Sequence, residues 1–246
     1  MNVAIVGYGK MGKQIERILK EKGVNLVSTI DNYAKDASFK EINRASLKGV
    51  DVVIDFATST DIIDRVVQYK NTSVNVVMGT TGWYDEMSRV KEIVNDNIGF
   101  IWSGNFSLGV NIFFRILKYA SSIFSKFPEY DPLVYEIHHK EKKDSPSGTS
   151  LMLGDIIKRE IRSKTKNVVE KLDRKIESDE IHIVSARGGY HPGLHNILFD
   201  SVGDTIELKH TARSREGFAQ GAVLAAQWIY GKKGFFNIDH LFDSII

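Results

Sequence analysis

A glycine-rich turn directly after the first apolar run constrains the fold of this chain more than any other feature. Val3–Val6 predicts a buried strand, and a helix is expected from about Lys10 to Glu21. The residues that lead from one into the other are Gly7, Tyr8, Gly9, Lys10, Met11 and Gly12. In a GxGxxG pattern the first glycine permits a tight turn, the second lets backbone approach a pyrophosphate, and the third allows close helix-to-strand packing. In this strand–turn–helix context the pattern predicts a dinucleotide-binding turn.

An acidic residue at the end of the second predicted strand supports this interpretation. Asp31 follows the strand Val24–Ile30 and lies 19 residues after Gly12. A carboxylate at that point accepts hydrogen bonds from the adenosine ribose hydroxyls and repels a 2′-phosphate. We therefore expect the cofactor to be NADH or NADPH, with NADH favoured. The alternative is that the glycines merely make a turn and that Asp31 is a solvated loop acid.

The rest of the first half alternates short apolar strands with helical patterns. Strands are predicted at Val52–Ile54, Val74–Met78 and Gly99–Trp102, with helices through Ile62–Val67 and Tyr84–Val94. Apolar strands separated by helices indicate an α/β fold with a doubly wound parallel sheet of the Rossmann type. Ligands of such sheets bind beyond the carboxyl ends of the strands. The turns after the fourth and fifth strands are therefore predicted to line the nicotinamide side: Gly79, Thr80 and Thr81, then Ser103, Gly104, Asn105 and Phe106.

In the second half the pattern changes to that of an α+β domain. A long apolar helix is predicted at Val110–Phe124, a strand at Leu133–Ile137 and a helix at about Ser147–Ile161. Residues 162–180 are highly charged and weakly patterned, so we expect a surface excursion there. An antiparallel meander and an alanine-rich helix should follow, at Ile181–Val184, Leu194–Phe199, Thr205–His210 and Phe218–Ile229. We expect an open mixed sheet with helices on one face.

Composition excludes several classes of function. The chain has no cysteine, which excludes disulfide scaffolds, thiolate metal sites and thiol nucleophiles. Lys and Arg exceed Asp and Glu by only two, and the charges are interspersed, so a nucleic-acid partner is not expected. No apolar run approaches the roughly 20 residues needed to cross a bilayer, and the N-terminus lacks the features of a signal peptide. We expect a soluble, cytoplasmic protein without a membrane partner.

The segment between the sixth strand and the next helix concentrates titratable groups. His138 and Lys142 are four residues apart and fall on one side of the segment, where an imidazole beside an ammonium could donate a proton near neutral pH. Gly148 and Thr149 lie in the first turn of the next helix, whose N–H groups favour a carboxylate. The alternative is a solvated loop. A metal site is not expected, because the HExxH spacing is absent and the adjacent His138 and His139 would diverge in an extended chain.

Several separated motifs can be recognised along nearly the whole chain. The most specific is Glu136-x-His138-His139-x-x-Lys142-x-Asp144-x-Pro146-Ser147-Gly148-Thr149. Supporting motifs are Asp55-Phe56, Gly79-Thr80-Thr81-Gly82, Asn105-Phe106-Ser107-Leu108-Gly109, Ser185-x-Arg187-x-Gly189 with Gly193-x-His195, and His210-x-Ala212-x-Ser214-Arg215. Together they resemble the motifs of the 4-hydroxy-tetrahydrodipicolinate reductase family, long called dihydrodipicolinate reductase.

The resemblance implies a homotetrameric, cytoplasmic oxidoreductase of the diaminopimelate route to lysine. In that family NAD(P)H delivers hydride to the dehydrating hydroxy-tetrahydrodipicolinate ring, a small dicarboxylate, giving tetrahydrodipicolinate. The resemblance also implies a cofactor domain of residues 1–106 plus 217–246 and a substrate-binding and oligomerisation domain of residues 107–216.

The resemblance assigns roles by motif position. His138 would be the principal acid/base, Lys142 a second proton donor and His139 a substrate contact. Gly148 and Thr149 would bind a substrate carboxylate, and the three turns would hold the cofactor. The glycine turn is one residue shorter than the family's common form, with Lys10 where arginine is frequent. Asn32 also stands where many members place an arginine that could meet a 2′-phosphate.

Two alternatives remain. One is another Rossmann-type NAD(P)-dependent dehydrogenase of a small carboxylate, although aspartate-semialdehyde dehydrogenase, which shares this architecture, needs a cysteine nucleophile that this chain lacks. The other is a non-catalytic NADH-sensing protein. That class would be expected to have degraded proton donors and a DNA-binding module, and the sequence has neither feature.

Overall fold

The computed structural model describes residues 1–245, and Ile246, which was predicted to belong to the cofactor domain, lies outside the described residues. The chain forms two compact units. The first comprises Met1–Leu108 and Arg215–Ile246, and the second comprises Gly109–Ser214. Each unit is built on its own sheet and has its own apolar core.

Eleven strands and seven α-helices make up the described chain. The strands are β1 (Asn2–Val6), β2 (Asn25–Ile30), β3 (Val52–Asp55), β4 (Asn75–Met78), β5 (Gly99–Trp102), β6 (Asp131–His138), β7 (Lys166–Val168), β8 (Glu180–Arg187), β9 (Leu194–Asp200), β10 (Thr205–Thr211) and β11 (Gly234–Asn237). The helices are α1 (Lys10–Glu21), α2 (Ile62–Asn71), α3 (Met87–Val94), α4 (Leu108–Phe124), α5 (Gly148–Glu160), α6 (Glu216–Ile229) and α7 (Ile238–Asp243). Within residues 1–245, no helix is both long and apolar enough to cross a membrane.

The sheet of the first unit is parallel throughout, in the order β11-β5-β4-β3-β1-β2. Its buried strand residues alternate between two cores. Val3 and Ile5 pack with α1, α6 and α7, whereas Ala4 and Val6 pack with α2 and α3. Helices therefore cover both faces, and the predicted doubly wound parallel sheet is confirmed. The edge strand β11, which pairs with β5, was not predicted.

The sheet of the second unit is mixed, as predicted, in the order β10-β9-β6-β8-β7. The predicted antiparallel meander of the last three strands is wrong. β9 and β10 form an antiparallel hairpin, but β6 lies between β8 and β9 and pairs in parallel with β8. A parallel pair needs a crossover connection, which α5 supplies between β6 and β8, and hydrophobic patterning of single strands does not reveal such an insertion.

The charged segment after α5 is only partly a surface excursion. Lys166–Val168 forms the short strand β7, which pairs in parallel with the start of β8. Of these three residues only Val168 is buried. A single buried residue leaves no periodic signal, which is why this strand was missed.

Apolar packing in the second unit is one-sided. Val134, Ile183 and Ile197 face the core formed with α4 and α5. Their neighbours Leu133, Tyr135, Ile137, Val184 and Leu198 point to the opposite face, which no helix of this unit covers among the described residues.

Candidate functional site

The turn between β1 and α1 has the geometry that its glycine pattern predicts. Gly7 has φ +86°, and a Cβ there would lie 2.5 Å from the carbonyl carbon of Phe56, so only glycine fits. A Cβ at Gly12 would lie 2.4 Å from the Gly7 carbonyl oxygen, because α1 starts directly against β1. No described atom lies within 4 Å of the Cβ position at Gly9, so its backbone is open to a ligand. The first N–H groups of α1 face the same turn.

Asp31 ties the end of β2 to this turn. Its Oδ2 accepts a hydrogen bond from the Tyr8 N–H at 2.7 Å, and its Oδ1 accepts from the N–H groups of Tyr33 and Ala34 at 2.7 and 2.9 Å. Burial opposes ionisation of this carboxyl, but the backbone N–H groups outweigh it and lower its pKa. Asp31 is therefore an anion beside the glycine turn at neutral pH.

The remaining predicted residues of the glycine turn have distinct environments. The Tyr8 hydroxyl donates to the Glu16 carboxylate, which raises the pKa of Tyr8 to about 12, so the phenol remains neutral. Lys10 is exposed, and Met11 is partly buried against the first core. Lys10 is thus the cation of this turn that solvent or a phosphate can reach.

A cavity of about 570 Å³ lies beside the glycine turn. Gly7, Gly9, Asp31 and Asn32 contribute to its wall. Its charged lining residues are the acids Asp31, Glu41, Asp61 and Asp64 and the bases Lys40 and Arg65. The volume lies in the range of small-molecule sites. The excess of acids in the lining disfavours binding of a 2′-phosphate there.

A buried ionic cluster forms where β3 ends. Oδ2 of the fully buried Asp55 accepts hydrogen bonds from Nε of Arg65 at 2.9 Å and from the Tyr69 hydroxyl at 2.8 Å. Its Oδ1 accepts from the hydroxyl of Thr80 at 3.1 Å. Burial raises the pKa of Tyr69 well above its usual value, so this phenol remains a donor. Nη2 of Arg65 also donates to the Thr58 carbonyl at 2.7 Å, so the cluster holds both the loop after β3 and the predicted residue Thr80.

Phe56 packs the three predicted cofactor turns around one ring. A Cβ at Gly79 would lie 2.2 Å from Cζ of this ring, and the ring centroid of Phe106 is 6.0 Å away. The Phe56 backbone borders Gly7. Since β3 lies between β1 and β4 in the sheet, the residue after β3 comes next to the turns of its neighbours.

The turn after β5 is closed by its own side chains. The Ser103 hydroxyl accepts from the Asn105 N–H at 3.0 Å and donates to the Asn105 carbonyl at 2.9 Å. Gly104 is exposed here, as is Thr81 in the turn after β4. The ring of Phe106 is only 2% exposed, so it supports this turn from the core and presents no ring face to a ligand.

In the second unit, β6 presents Glu136 and His138 on one buried face of the sheet. Nδ1 of His138 lies 3.4 Å from Oε2 of Glu136, and the His138 ring meets the His195 ring edge-on at 5.0 Å. Burial lowers the pKa of His138 to about 4; Glu136 opposes this, while His195, Lys142 and Arg187 add to it. His138 is thus uncharged at neutral pH in the protein by itself. This differs from the expectation of a ready proton donor at that pH.

Glu136 is the centre of a hydrogen-bond network. Its Oε1 accepts from the Ser147 N–H, the Ser185 hydroxyl and Nη2 of Arg187, each at 2.9 Å. Its Oε2 accepts from the Ser147 hydroxyl and, at 2.7 Å, from the Ser150 hydroxyl. Burial opposes its ionisation, but His195, whose Nε2 lies 3.5 Å from Oε2, and these hydrogen bonds hold the pKa of Glu136 well below its usual range.

The N-terminus of α5 is attached to this network. Ser147 caps the helix by accepting a hydrogen bond from the Ser150 N–H at 3.2 Å. Gly148 and Thr149 are the first two helical residues, and Gly148 is exposed. Gly148, which is predicted to bind a substrate carboxylate, therefore directly follows Ser147, which donates hydrogen bonds to Glu136.

The loop between β6 and α5 carries the remaining predicted residues. Nζ of Lys142 lies 2.8 Å from a carboxylate oxygen of Asp144. The backbone carbonyl of Asp144 accepts a hydrogen bond from Nη2 of Arg187. The His139 N–H donates to the His191 carbonyl at 2.8 Å, and the His139 side chain is partly exposed. The structure thus places His138, Lys142 and the start of α5 in one unit.

The buried residues Glu136, His138 and His195 each have one potential metal-ligand atom. These three atoms lie within 4.8 Å of one another, which is close enough to hold one metal ion. The Glu136 oxygens, however, already accept five hydrogen bonds, one of them from the guanidinium of Arg187. A fixed cation at this carboxylate opposes binding of a second one. The arrangement is that of one carboxylate paired with two imidazoles.

Both halves of the chain match models of one protein family. The model described as dihydrodipicolinate reductase, N-terminus, matches residues 1–106, and the one described as dihydrodipicolinate reductase, C-terminus, matches residues 109–242. The chain belongs to the dihydrodipicolinate reductase family. The family predicted from the motifs is thereby confirmed, together with its class of enzyme, the oxidoreductases.

Curated members of the dihydrodipicolinate reductase family resemble the chain over its full length. A 4-hydroxy-tetrahydrodipicolinate reductase of Christiangramia forsetii is 36% identical, with 100% of this chain and 99% of the relative covered. One of Archaeoglobus fulgidus is 37% identical, with 97% and 98% covered. The chain therefore spans nearly the full length of both relatives.

Solved structures agree with this relationship. A dipicolinate-bound dihydrodipicolinate reductase from a Paenisporosarcina species has a TM-score of 0.78 at 25% identity, with 98% of each chain covered. A scyllo-inositol dehydrogenase from Lactobacillus casei with bound NAD(H) has a TM-score of 0.58 at 13% identity, over 93% of this chain and 87% of that one, which shows the fold alone. Both likenesses extend over nearly the whole chain, so the fold of this chain is shared with both proteins.

Several residues of the two candidate sites, one site in each unit, were given no role from the sequence. The missed residues are Phe56, Arg65, Glu136, Ser147, Ser185, Arg187 and His195. Strand register explains why: Ser185 on β8 and His195 on β9 both lie opposite Glu136 on β6. A meander of the last three strands would not place Glu136 between them. The available signal was Glu136 itself, an acid at an inward position of an alternating strand, which requires buried partners.

Proposed function

We propose that this protein catalyses the reduction of 4-hydroxy-tetrahydrodipicolinate to tetrahydrodipicolinate in lysine biosynthesis, with a pyridine nucleotide as hydride source. The observation that carries the proposal is the grouping of His138, Lys142 and the exposed start of α5 around the Glu136 network. Hydride and a proton enter the substrate and water leaves, so the site must bind a dianion and supply a proton.

The cofactor is assigned to the first unit. Gly7, Gly9 and Gly12, with the first N–H groups of α1, suit a pyrophosphate, and the turns at residues 79–81 and 103–106 suit the nicotinamide end. When bound, the reduced nicotinamide supplies the hydride. The chain's own part is to orient that ring and to exclude water from it.

Within this cofactor class, NADH is proposed as the favoured form. Asp31 is ionised beside the ribose end of the turn, and three further acids line the same cavity. Lys13 is already paired with Asp36 at 2.7 Å, and Nζ of Lys40 donates to the Ala34 carbonyl at 2.6 Å. These cations are partly engaged, so a 2′-phosphate would meet a net negative lining.

The residues that supply the proton are assigned to the second unit. His139, Gly148 and Thr149 are proposed to hold the substrate carboxylates, and His138 and Lys142 to donate the proton. The pKa of His138 is about 4 in the protein alone, lowered chiefly by burial. Two carboxylates brought beside the ring add negative charge that favours its protonated form. Substrate binding and proton uptake by His138 are therefore coupled.

We also propose that the protein is a cytoplasmic homotetramer. The support is the uncovered face of the second sheet, where Tyr135 lies between Val184 and Asn196 and where Val184 is 39% exposed. An open sheet face with apolar residues gains free energy when a second copy covers it. Polar side chains also lie on that face, among them Glu207 and Lys209 on β10.

The decisive experiment is to incubate the purified protein with NADH and freshly generated substrate and to follow the loss of nicotinamide absorbance. Turnover should require both compounds and should stop when a pyridine-dicarboxylate inhibitor is added. A protein that binds NADH but leaves the substrate unchanged would refute the proposal and favour an NADH-sensing role. Turnover with another small carboxylate alone would favour a different dehydrogenase.

A further inference from the structure

The site around His138 contains a buried charge to which the proposed reaction gives no role. Glu136 is 1% exposed, yet it accepts hydrogen bonds from three hydroxyls, one backbone N–H and one guanidinium. Burying an ion is unfavourable unless its partners compensate for lost hydration. An ionised carboxylate that is buried next to a titratable ring is a candidate for controlling where that ring carries its proton.

The two ring nitrogens of His138 have different surroundings. Nδ1 is fully buried, makes no hydrogen bond within residues 1–245 and lies 3.4 Å from Oε2 of Glu136. Nε2 lies beside Gly193, where a Cβ would be only 3.1 Å from it. Gly193 has φ +152°, a conformation that favours glycine, so no side chain at that position covers Nε2. Of the two ring nitrogens only Nδ1 is fully buried, so Nε2 is the one that a substrate can approach.

An ionised carboxylate decides which of these nitrogens carries the proton. Glu136 accepts but does not donate, so Nδ1–H facing it is favoured over a bare Nδ1 lone pair. Nε2 is then the acceptor of the neutral ring and becomes the donor when the ring gains a second proton. The charged and titratable groups that act on this ring are Glu136, Lys142, Arg187 and His195, and of these Glu136 alone favours the protonated form.

We propose that Glu136 is a positioning residue for proton transfer, which holds His138 with one proton on Nδ1 and with Nε2 as the nitrogen that donates to the substrate. The same carboxylate is bonded to Ser147, the cap of α5, and to Arg187, which donates to the Asp144 carbonyl. The Glu136 carboxylate thus positions the His138 ring, the start of α5 and, through Arg187, the loop between them. This inference rests on the role proposed above for His138.

The test compares the wild type with Glu136→Gln, which removes the charge and keeps the size. Nitrogen-15 NMR at pH 7, with His138→Gln to identify the signal, should find the proton of His138 on Nδ1 in the wild type. In Glu136→Gln this preference should be lost, and kcat should fall by about 10²–10⁴-fold, as for loss of a positioned general acid. The NADH dissociation constant should not change, because the cofactor turns belong to the other unit.

Ser150→Ala is the matched control, because it removes one hydrogen bond to Glu136 and keeps the charge. It should lower thermal stability while the His138 proton stays on Nδ1. If both variants lose stability and neither changes the position of the proton, the role of Glu136 is structural and the inference is wrong. A wild-type ring with its proton on Nε2 would overturn it even if Glu136→Gln does not fold. Normal kcat in His138→Gln would instead refute the proposed acid.

Discussion

The N–H of Tyr8 donates a hydrogen bond to Oδ2 of Asp31 at 2.7 Å, so the acid at the end of β2 holds the glycine turn after β1 in place. A residue predicted only as a ribose contact therefore has a second task. Its carboxylate is fixed by three backbone N–H groups before any ligand arrives. Such preorganisation lowers the entropic cost of binding a ligand, because the carboxylate does not have to be ordered first.

Asp31→Asn should shift cofactor preference toward NADPH. Asparagine keeps an oxygen for the Tyr8 N–H but removes the charge that opposes a 2′-phosphate. We expect the ratio of NADH to NADPH affinity to fall by about tenfold, the change produced by roughly 1.4 kcal/mol. Calorimetric titration of both cofactors measures this ratio, and Glu21→Gln, at the far end of α1, should leave it unchanged. A wild type that strongly prefers NADPH would contradict our interpretation of Asp31.

Asp55→Asn should destabilise the first unit strongly. The substitution leaves the buried guanidinium of Arg65 without its counter-charge, and breaking such a pair typically costs about 3–5 kcal/mol. Urea unfolding gives the change in the free energy of unfolding. The exposed Asp96→Asn is the control and should stay within about 0.5 kcal/mol of the wild type. A small effect at Asp55 would mean that the cluster relaxes without this charge.

His138→Gln and Lys142→Ala should affect different kinetic constants. Loss of the acid at His138 should lower kcat by about 10²–10⁴-fold. Lys142→Ala should lower kcat and also raise KM, because its charge helps to hold the dianion. Neither should change the NADH dissociation constant. The exposed neighbour Lys143→Ala controls for loss of a nearby cation, and near-normal kcat in His138→Gln would make His139 the next candidate acid.

Acid should destabilise the second unit in two stages. The pKa of His138 is lowered from 6.5 to about 4, so between these values the unfolded chain binds a proton that the folded chain does not, and stability falls as the pH drops. The lowered pKa of Glu136 stabilises the fold above its unfolded value of about 4.3, and this contribution is lost below that pH. Urea unfolding at pH 7 and pH 5 should find a smaller difference for His138→Gln than for the wild type. The exposed His191→Gln should behave as the wild type does.

Val184→Glu should dissociate the proposed tetramer. The new carboxylate would lie beside Tyr135 on the uncovered sheet face and would be desolvated on assembly. Light scattering coupled to size exclusion measures the mass. Val202→Glu, at the fully exposed tip of the β9–β10 hairpin, is the matched control and should keep the wild-type mass. A wild type that is monomeric at micromolar concentration would refute the assembly itself.

Elements with strong periodicity could be predicted closely, whereas elements without it could not. α1 was expected and found at Lys10–Glu21, and the strand at Gly99–Trp102 also has the expected bounds. β7 and β11 were missed because each is short and has few or no fully buried residues. Both are edge strands, β7 paired with β8 and β11 with β5, and such pairing depends on segments distant in the sequence.

The local sequence is sufficient to predict the glycine turn, the alternation of buried strands and helices, and the motif that contains His138 and Lys142. These are local properties, because turn conformation and the burial period depend on neighbouring residues. Tertiary structure alone decided that β6 lies between β8 and β9, and therefore that Ser185 and His195 lie on either side of Glu136. It also lowered the pKa of His138 to about 4, chiefly through burial. Strand order and the desolvation of one particular side chain arise from packing between distant segments, which no local pattern encodes.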